Sequence, residues 1–205
     1  MTRRLLLATR NPKKLAELRR ILAAEVGSAD LEIVGLDDVP PYQEAPETGA
    51  TFADNALLKA RAAARHTGLP AVADDSGLTV DALGGMPGVL SARWAGRSRD
   101  DDANLRLVLD QVADVPDDRR GAAFVCAAAL VTPDGTEQVV EERLAGVLTR
   151  NPRGTGGFGY DPIFQPHGDT RTTAEMSPVE KDAISHRGRA FRALAPHIAA
   201  ALRSA

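Results

Sequence analysis

Leu5-Leu6-Leu7-Ala8-Thr9-Arg10-Asn11-Pro12-Lys13-Lys14-Leu15 is the stretch on which the fold turns. Its first four residues form a short, uninterrupted apolar run, the pattern of a strand buried on both faces. Asn11 can then cap a helix and Pro12 suits its first position, while Leu15, Leu18, Ile21 and Leu22 recur on one face at helical spacing. A buried strand that passes through a short loop into an amphipathic helix is the opening unit of an α/β protein. The same arrangement aims free backbone N–H groups and the positive end of a helix dipole at the loop. Because the dipole supplies only about 0.3–1 kcal/mol at an exposed site, Lys13 and Lys14 matter there. The loop reads as a phosphate cradle, although the G-x-x-x-x-G-K-[ST] pattern is absent, and a plain helix start with solvated lysines has the same composition.

Downstream, residues 31–34 read as a second strand, followed by a rigid loop over residues 39–49 punctuated by Pro40, Pro41 and Pro46. Its Glu44 and Glu47 are either ligands or solvated acids. From Thr51 the pattern is helical, with Phe52, Ala56, Ala60 and Ala63 on one face and stop signals at Gly68 and Pro70. Asn55 and Lys59 share a face of that helix and can point an amide and an ammonium at one ligand. The apolar run 69–73 then delivers Asp74-Asp75-Ser76-Gly77, which reads as a strand end bringing carboxylates to a rim. Such oxygen ligands suit magnesium and magnesium suits phosphates, whereas a strand-to-turn junction uses the same residue types. Consecutive side chains on an extended segment point to opposite faces, so only one of the two carboxylates should face the cradle. Residues 78–83 read as a further strand.

The connection 84–96 is long and glycine-rich, and in it Arg93 beside Trp94 offers a phosphate fork next to an aromatic; core or interface packing is the plainer reading of Trp94. Asp100, Asp101 and Asp102 look like the acidic first turn of a helix carrying Leu105, Leu109 and Val112. Residues 122–131, the turn 132–136 and residues 137–144 read as a hairpin, which makes the sheet mixed. Gly154-Thr155-Gly156-Gly157-Phe158-Gly159 matches G-x-G-x-x-G, but Tyr160-Asp161-Pro162-Ile163-Phe164 follows where a dinucleotide fingerprint would open a helix. These glycines suit a loop approaching a flat ligand, with Phe158 or Tyr160 to stack on it and Asp161 to accept hydrogen bonds. Ser177-Pro178-Val179-Glu180 is a capping box, and Ser185-His186-Arg187-Gly188 bends or restarts the chain before a closing helix marked by Phe191, Leu194, Ile198 and Leu202, with a kink expected at Pro196. Lys181, His186 and Arg187 together make an anion or base-oxygen site, or a solvated basic face.

The chain of 205 residues is long enough for an ample core, burying roughly 70% of its unfolded surface. Its 25 basic against 28 acidic residues, a net charge of -3, lack the excess expected of a general nucleic-acid binder, so any phosphate binding rests on local clusters. Cys126, the single cysteine, lies in an apolar run and reads as a buried thiol. The apolar run at the amino end stops at Ala8, short of a signal peptide, and no run of about 18 apolar residues occurs. A cytoplasmic protein that binds neither membrane nor nucleic acid is expected, folded as a single domain over residues 1–205: α/β, with a mixed central sheet flanked by helices and two lobes with an active-site cleft between them.

The motifs Thr9-x-Asn11-x-x-Lys14, Glu47-Thr48-Gly49-x-Thr51-Phe52-x-x-Asn55-Ala56-x-x-Lys59-Ala60, Ala73-Asp74-Asp75-Ser76-Gly77-Leu78, Gly84-Gly85-x-Pro87-Gly88-x-x-Ser91-Ala92-Arg93, Gly154 to Phe164 and Ser185-His186-Arg187-Gly188 occur in an order that resembles the inosine triphosphate pyrophosphatase family, the XTP/dITP diphosphatases. The resemblance runs from Leu6 to about Leu194. Lys13 stands where that family usually has a small residue, and Arg10 adds a further charge to the phosphate loop.

The resemblance implies hydrolysis of the α–β anhydride of ITP, dITP or XTP to the monophosphate and pyrophosphate, with Mg2+ as cofactor and a homodimer as the assembly. It implies that Thr9, Arg10, Asn11, Pro12, Lys13 and Lys14 hold the triphosphate with Lys59 and Arg93 assisting, and that Ser76 contacts substrate. Asp75 is implied as general base and metal ligand, and Glu47 as the other ligand with Glu44 as its rival; with Asp75 facing the cradle, the alternation of the extended segment leaves Asp74 as a supporting residue. Phe158, Gly159, Tyr160 and Asp161 are implied at the base and sugar, and Lys181, His186 and Arg187 at the purine's oxo edge. A free Asp, with a pKa near about 3.9, is a weak base at neutral pH and needs a metal-acidified water or a raised pKa of its own. Rival readings are a Maf-like pyrophosphatase acting on pyrimidine or modified nucleotides, and a nucleotide-binding module without chemistry.

Overall fold

The computed structural model of the protein describes residues 3–26, 31–97 and 99–204. Met1 and Thr2, which open the segment weighed against a signal peptide, lie outside them. Among the described residues, strands β1 (Arg3–Leu7), β2 (Leu31–Val34), β3 (Ala71–Val80), β4 (Gly121–Val131), β5 (Glu137–Leu148) and β6 (Phe164–Pro166) form a sheet in the order β2-β1-β3-β4-β5-β6. β1 runs parallel to β2 and β3, with Leu5 opposite Ile33 and Leu7 opposite Val72, while β5 and β6 are antiparallel. The sheet is mixed, as the hairpin predicts, and helices α1 (Pro12–Val26), α2 (Phe52–Thr67), α3 (Asp101–Gln111), α4 (Pro178–Ile184) and α5 (His186–Ser204) complete an α/β protein. None of the described helices is long and apolar enough to cross a membrane.

Contacts divide the chain into two compact units. The first comprises Met1–Asp75, Cys126–Glu142 and Arg187–Ala205. Its core joins Leu5, Leu7 and Val72 with Cys126, Ala128 and Leu130, and packs them against Leu18, Ile21 and Leu22 of α1 and Phe191, Leu194, Ile198 and Leu202 of α5. Each such fully buried aliphatic side chain contributes about 1.5–3 kcal/mol relative to exposure. β4 is buried along nearly its whole length, and its alanines leave room for close packing on both faces. α2 begins at the capping box of Thr51 and Asp54 and stops at Gly68, as its sequence signals predict. Pro196 lies inside α5 without ending it.

The second unit comprises Ser76–Val125 and Arg143–His186. Leu78 and Val80, Leu105, Val108 and Val112 of α3, Phe124, Leu144, Leu148, Tyr160, Ile163 and Phe164 form its core. Trp94 packs against this cluster, and its Nε1 donates to Gln111 Oε1 at 2.8 Å, so the tryptophan of the glycine-rich connection is a packing residue. The segment 154–159 is followed by the short 3-10 helix Asp161–Ile163 and opens no α-helix, which bears out its rejection as a dinucleotide fingerprint.

One expectation is corrected. The acidic pair does not end a strand: β3 continues through Asp74, Asp75, Ser76 and Gly77 to Val80, and residues 81–83 are a single 3-10 turn rather than strand. Ser and Gly suit a turn locally, but Gly77 is required here by a close approach. A Cβ at Gly77 would lie 2.3 Å from Ser91 Oγ and 2.6 Å from the Gly88 carbonyl oxygen, so only glycine lets the extended strand pass beneath that segment.

Candidate active site

In the first unit, Asn11 caps α1 as its sequence predicts, with Oδ1 accepting from the backbone N–H of Lys13 (2.9 Å) and Lys14 (3.2 Å). Thr9 Oγ1 accepts from Asn11 N at 3.2 Å, so side chains on both sides of Arg10 fix the loop. Pro12 follows as the first helical residue. Arg10 points its guanidinium to Glu44 and lies 3.7 Å from Asp37, and burial plays little part in its raised pKa, which follows from the Glu44 hydrogen bond and charge. Lys14 reaches inward instead, donating to Asp74 Oδ2 at 2.8 Å.

The two consecutive aspartates occupy opposite faces of β3. Asp74, with no exposed side-chain surface, receives Lys14 of α1 and Arg187 of α5, the latter at 3.3 Å. Burial pushes the Asp74 carboxyl up, yet Lys14, Arg187 and Lys59 outweigh it and hold the group far below the usual carboxylate range. Arg187 Nη1 also donates to the buried Glu17 at 2.6 Å, and although burial disfavours its charge, Glu17 and Asp74 raise its pKa overall. Arg187 is therefore held between two acidic side chains of this unit.

Asp75 faces α2. Its Oδ2 accepts from Asn55 Nδ2 at 3.0 Å, and Lys59 Nζ stands 3.5 Å from its Oδ1. Here burial prevails over Lys59, Lys14 and the Asn55 hydrogen bond, and the Asp75 carboxyl is raised. Lys59 also donates to Glu47 Oε1 at 3.1 Å. Burial disfavours the Lys59 charge, but Asp74, Asp75 and Glu47 raise its pKa overall. Two carboxylates thus converge on one cation, and they are the residues in this unit that could hold a divalent ion. Glu44 accepts a hydrogen bond from Arg10. Among the described residues no third His, Cys, Asp or Glu completes a protein-only cage. Ala8, Tyr42, Glu44, Ala45 and Lys59 line a small pocket here.

In the second unit, Asp161 organises the glycine-rich loop. Its carboxylate accepts from Phe158 N (2.8 Å), Thr173 Oγ1 (2.7 Å) and Lys181 Nζ (2.6 Å). Gly157 adopts φ +71°, and a Cβ there would lie 2.1 Å from Asp161 Oδ2, so this turn needs glycine on two counts. Lys181 Nζ also stands 5.1 Å from the centre of the half-buried Phe158 ring, and Gly159 N donates to Asp101 Oδ2 at 3.1 Å. The Tyr160 ring is core, with its hydroxyl donating to the Ser91 carbonyl, which leaves Phe158 as the ring of this loop outside the core cluster. His186 is buried and stacks on Phe124 at 4.9 Å between ring centres. Ser76 lies half-buried in β3, and the half-buried Arg93 ends the 3-10 helix Gly88–Arg93.

Sequence reasoning singled out Asn55 and Asp74 but missed the contacts made by Glu17, Asp101, Thr173 and Ser91. Glu17 carries a legible signal, since it follows Lys14 by one helical turn. Thr173 carries none, because only folding brings it to Asp161. Asn55 does more than share a face with Lys59: its Oδ1 accepts from Gly49 N at 2.8 Å while its amide holds Asp75, tying the Glu47 loop to the strand.

The Ham1 family model matches residues 5–197. The dITP/XTP pyrophosphatase of Mycobacteroides abscessus is 63% identical over 193 residues, covering 94% of this chain and 93% of the relative. That of Nocardia farcinica is 64% identical over 197 residues, covering 96% and 95%. The crystal structure of the nucleoside-triphosphatase / dITP/XTP pyrophosphatase from Mycobacterium abscessus superposes with a TM-score of 0.76 at 63% identity, over 93% of this chain and 98% of that one. The Staphylococcus aureus Ham1 protein gives 0.85 at 35% identity, over 96% and 98%. On the extent of that model match, and on full-length relatives 63–64% identical, the chain belongs to the Ham1 family.

Proposed function

We propose that this protein is a magnesium-dependent nucleoside triphosphate pyrophosphatase that converts ITP, dITP and XTP to their monophosphates and pyrophosphate. The substrate class is supported by the name dITP/XTP pyrophosphatase borne by relatives 63–64% identical along nearly the whole chain. The observation that carries the chemistry is the convergence of Asp75 and Glu47 on Lys59, with the Asp75 carboxyl raised by burial. A raised pKa brings an aspartate closer to the range in which it accepts a proton from water.

In this reading Asp75 takes a proton from the attacking water, whose oxygen bonds to a phosphorus flanking the α–β bridging oxygen. The bond from that phosphorus to the bridging oxygen breaks, giving the monophosphate and pyrophosphate. Thr9 to Lys14 and Lys59 hold the triphosphate oxygens through the α1 N-terminus and cationic side chains, and Ser76 contacts the substrate. The oxygen donors of Glu47 and Asp75 fit magnesium, which takes one or two carboxylates and completes its shell with water and phosphate oxygens. When bound, the ion would neutralise phosphate charge and acidify a coordinated water. Phe158 stacks on the base, Gly159 to Asp161 shape its loop, and Lys181 and His186, with Arg187 behind them in the chain, offer donors to the 6-oxo group. A donor set of this kind can reject an unmatched base by up to roughly 10⁴–10⁵-fold.

A cytoplasmic homodimer completes the proposal; analytical ultracentrifugation should give the mass of two chains. Pyrophosphate release from ITP, XTP, dTTP and ATP, with and without magnesium, tests the function. Turnover of ITP and XTP that needs the metal is expected; preference for dTTP would assign a pyrimidine pyrophosphatase, and binding without turnover would leave a nucleotide-binding module.

A further inference from the structure

Ser91 sits in the 3-10 helix Gly88–Arg93 and is buried, with 6% of its surface exposed. Its two ends do different things. The hydroxyl accepts from the backbone N–H of Leu78 at 2.9 Å and donates to the Gly88 carbonyl at 2.6 Å. The carbonyl of the same residue accepts from the buried Tyr160 hydroxyl at 2.8 Å. Leu78 lies three residues beyond Asp75 on one continuous strand, and Tyr160 lies two residues beyond Phe158 in the glycine-rich loop.

The contact to β3 is close by construction. Gly77 has no Cβ because Ser91 Oγ occupies the place where one would stand, 2.3 Å away. A buried backbone N–H must have an acceptor, and the Leu78 N–H finds it in a side chain rather than in a neighbouring strand. A hydroxyl wedged on Gly77 and bonded to Leu78 therefore fixes the height and twist of the strand just after Asp75-Ser76. The Tyr160 bond fixes the loop in the same way, together with the Asp101 carboxylate on Gly159 N.

We propose that Ser91 is a positioning residue of the pyrophosphatase reaction, its hydroxyl setting the strand that carries Asp75 and Ser76 and its carbonyl setting the loop that carries Phe158. The inference rests on the reading of Asp75 as the base and of Phe158 as the stacking ring. A residue placed only for packing would alter melting without separating kcat from KM; a residue that sets two parts of a site separates them according to which end is cut.

Ser91→Ala removes the hydroxyl and keeps the carbonyl, whereas Tyr160→Phe removes the bond to the carbonyl and keeps the ring. Steady-state hydrolysis of ITP with magnesium is measured for both, well below their melting transitions, with amide exchange at Leu78 followed by NMR. Ser91→Ala is expected to lower kcat about tenfold with KM held within about twofold, and to speed exchange at Leu78. Tyr160→Phe is expected to raise KM about fivefold with kcat held within about twofold. Unchanged kinetics in either variant, or a fall in kcat alone in both, overturns the proposal. If Ser91→Ala does not fold, the KM of Tyr160→Phe decides. Wild-type protein that releases no pyrophosphate from ITP or XTP overturns the functional reading itself, an outcome separate from unchanged variant kinetics.

Discussion

Asp74 and Asp75 are adjacent in sequence and opposite in state: the first is locked as an anion by Lys14 and Arg187, while the second is raised by burial and held by Asn55 beside Lys59. The alternation of side chains along β3 sends one carboxylate to the α1 and α5 side and the other to α2. Proximity in sequence therefore says nothing about shared role, and the two positions respond differently to substitution.

Asp75→Asn keeps the size of the side chain and its contact with Asn55 but removes the proton acceptor. Turnover of ITP is expected to fall at least about a hundredfold, the usual worth of a general base, while nucleotide still binds. Steady-state pyrophosphate release and isothermal titration calorimetry check the two halves of this statement, and retained turnover would remove Asp75 as the base.

Asp74 governs stability. Its carboxyl lies far below the ordinary range in the folded protein, so its contribution is complete above the unfolded value near about pH 3.9 and is lost as pH falls below it. Asp74→Asn or Arg187→Ala leaves a buried partner charge unmatched and should cost about 3–5 kcal/mol at neutral pH. The penalty of Asp74→Asn should shrink in denaturant titrations carried out below about pH 3, where the carboxyl is protonated in the unfolded chain while the folded protein still holds it as an anion.

Lys59 occupies the point where Glu47 and Asp75 converge, and an ammonium there competes with a divalent ion. Lys59→Gln should tighten Mn2+ binding to the nucleotide-free protein about tenfold, as read by electron paramagnetic resonance, and raise the KM for ITP by a similar factor. Unchanged Mn2+ affinity would separate Lys59 from the metal-binding pair.

His186 stacks on Phe124 and carries a ring donor that Phe lacks. His186→Phe keeps an aromatic partner for Phe124 and should narrow the preference for ITP over ATP about tenfold or more, with little change in melting temperature. Unaltered selectivity would remove His186 from base reading.

Much of this site was legible from short-range chemistry. The Asn11 cap, Pro12 at the helix start, the Ser177 capping box and the apolar periodicity of α1 and α5 each follow from interactions within a turn or two, and local interactions are what a sequence displays. The opposite facing of Asp74 and Asp75 follows from the period of a strand. The sequence alone also supported a mixed sheet, since a tight turn between residues 122–131 and the partly alternating residues 137–144 admits only antiparallel pairing, within a sheet expected to carry strands on both sides of the hairpin.

Contacts distant in sequence were decided by tertiary structure. Arg187 reads as part of a basic group with Lys181 and His186, and only the fold adds that Glu17 and Asp74, 170 and 113 residues away, accept hydrogen bonds from its guanidinium. Tyr160 reads as a stacking ring, but the core of the second unit takes the ring and Ser91 takes its hydroxyl. Ser76-Gly77 reads as a turn, but close packing of Ser91 against Gly77 keeps β3 extended through the acidic pair. In each case the local preference is worth about 1 kcal/mol or less, and a buried ion pair, a buried aromatic or a close backbone approach outweighs it.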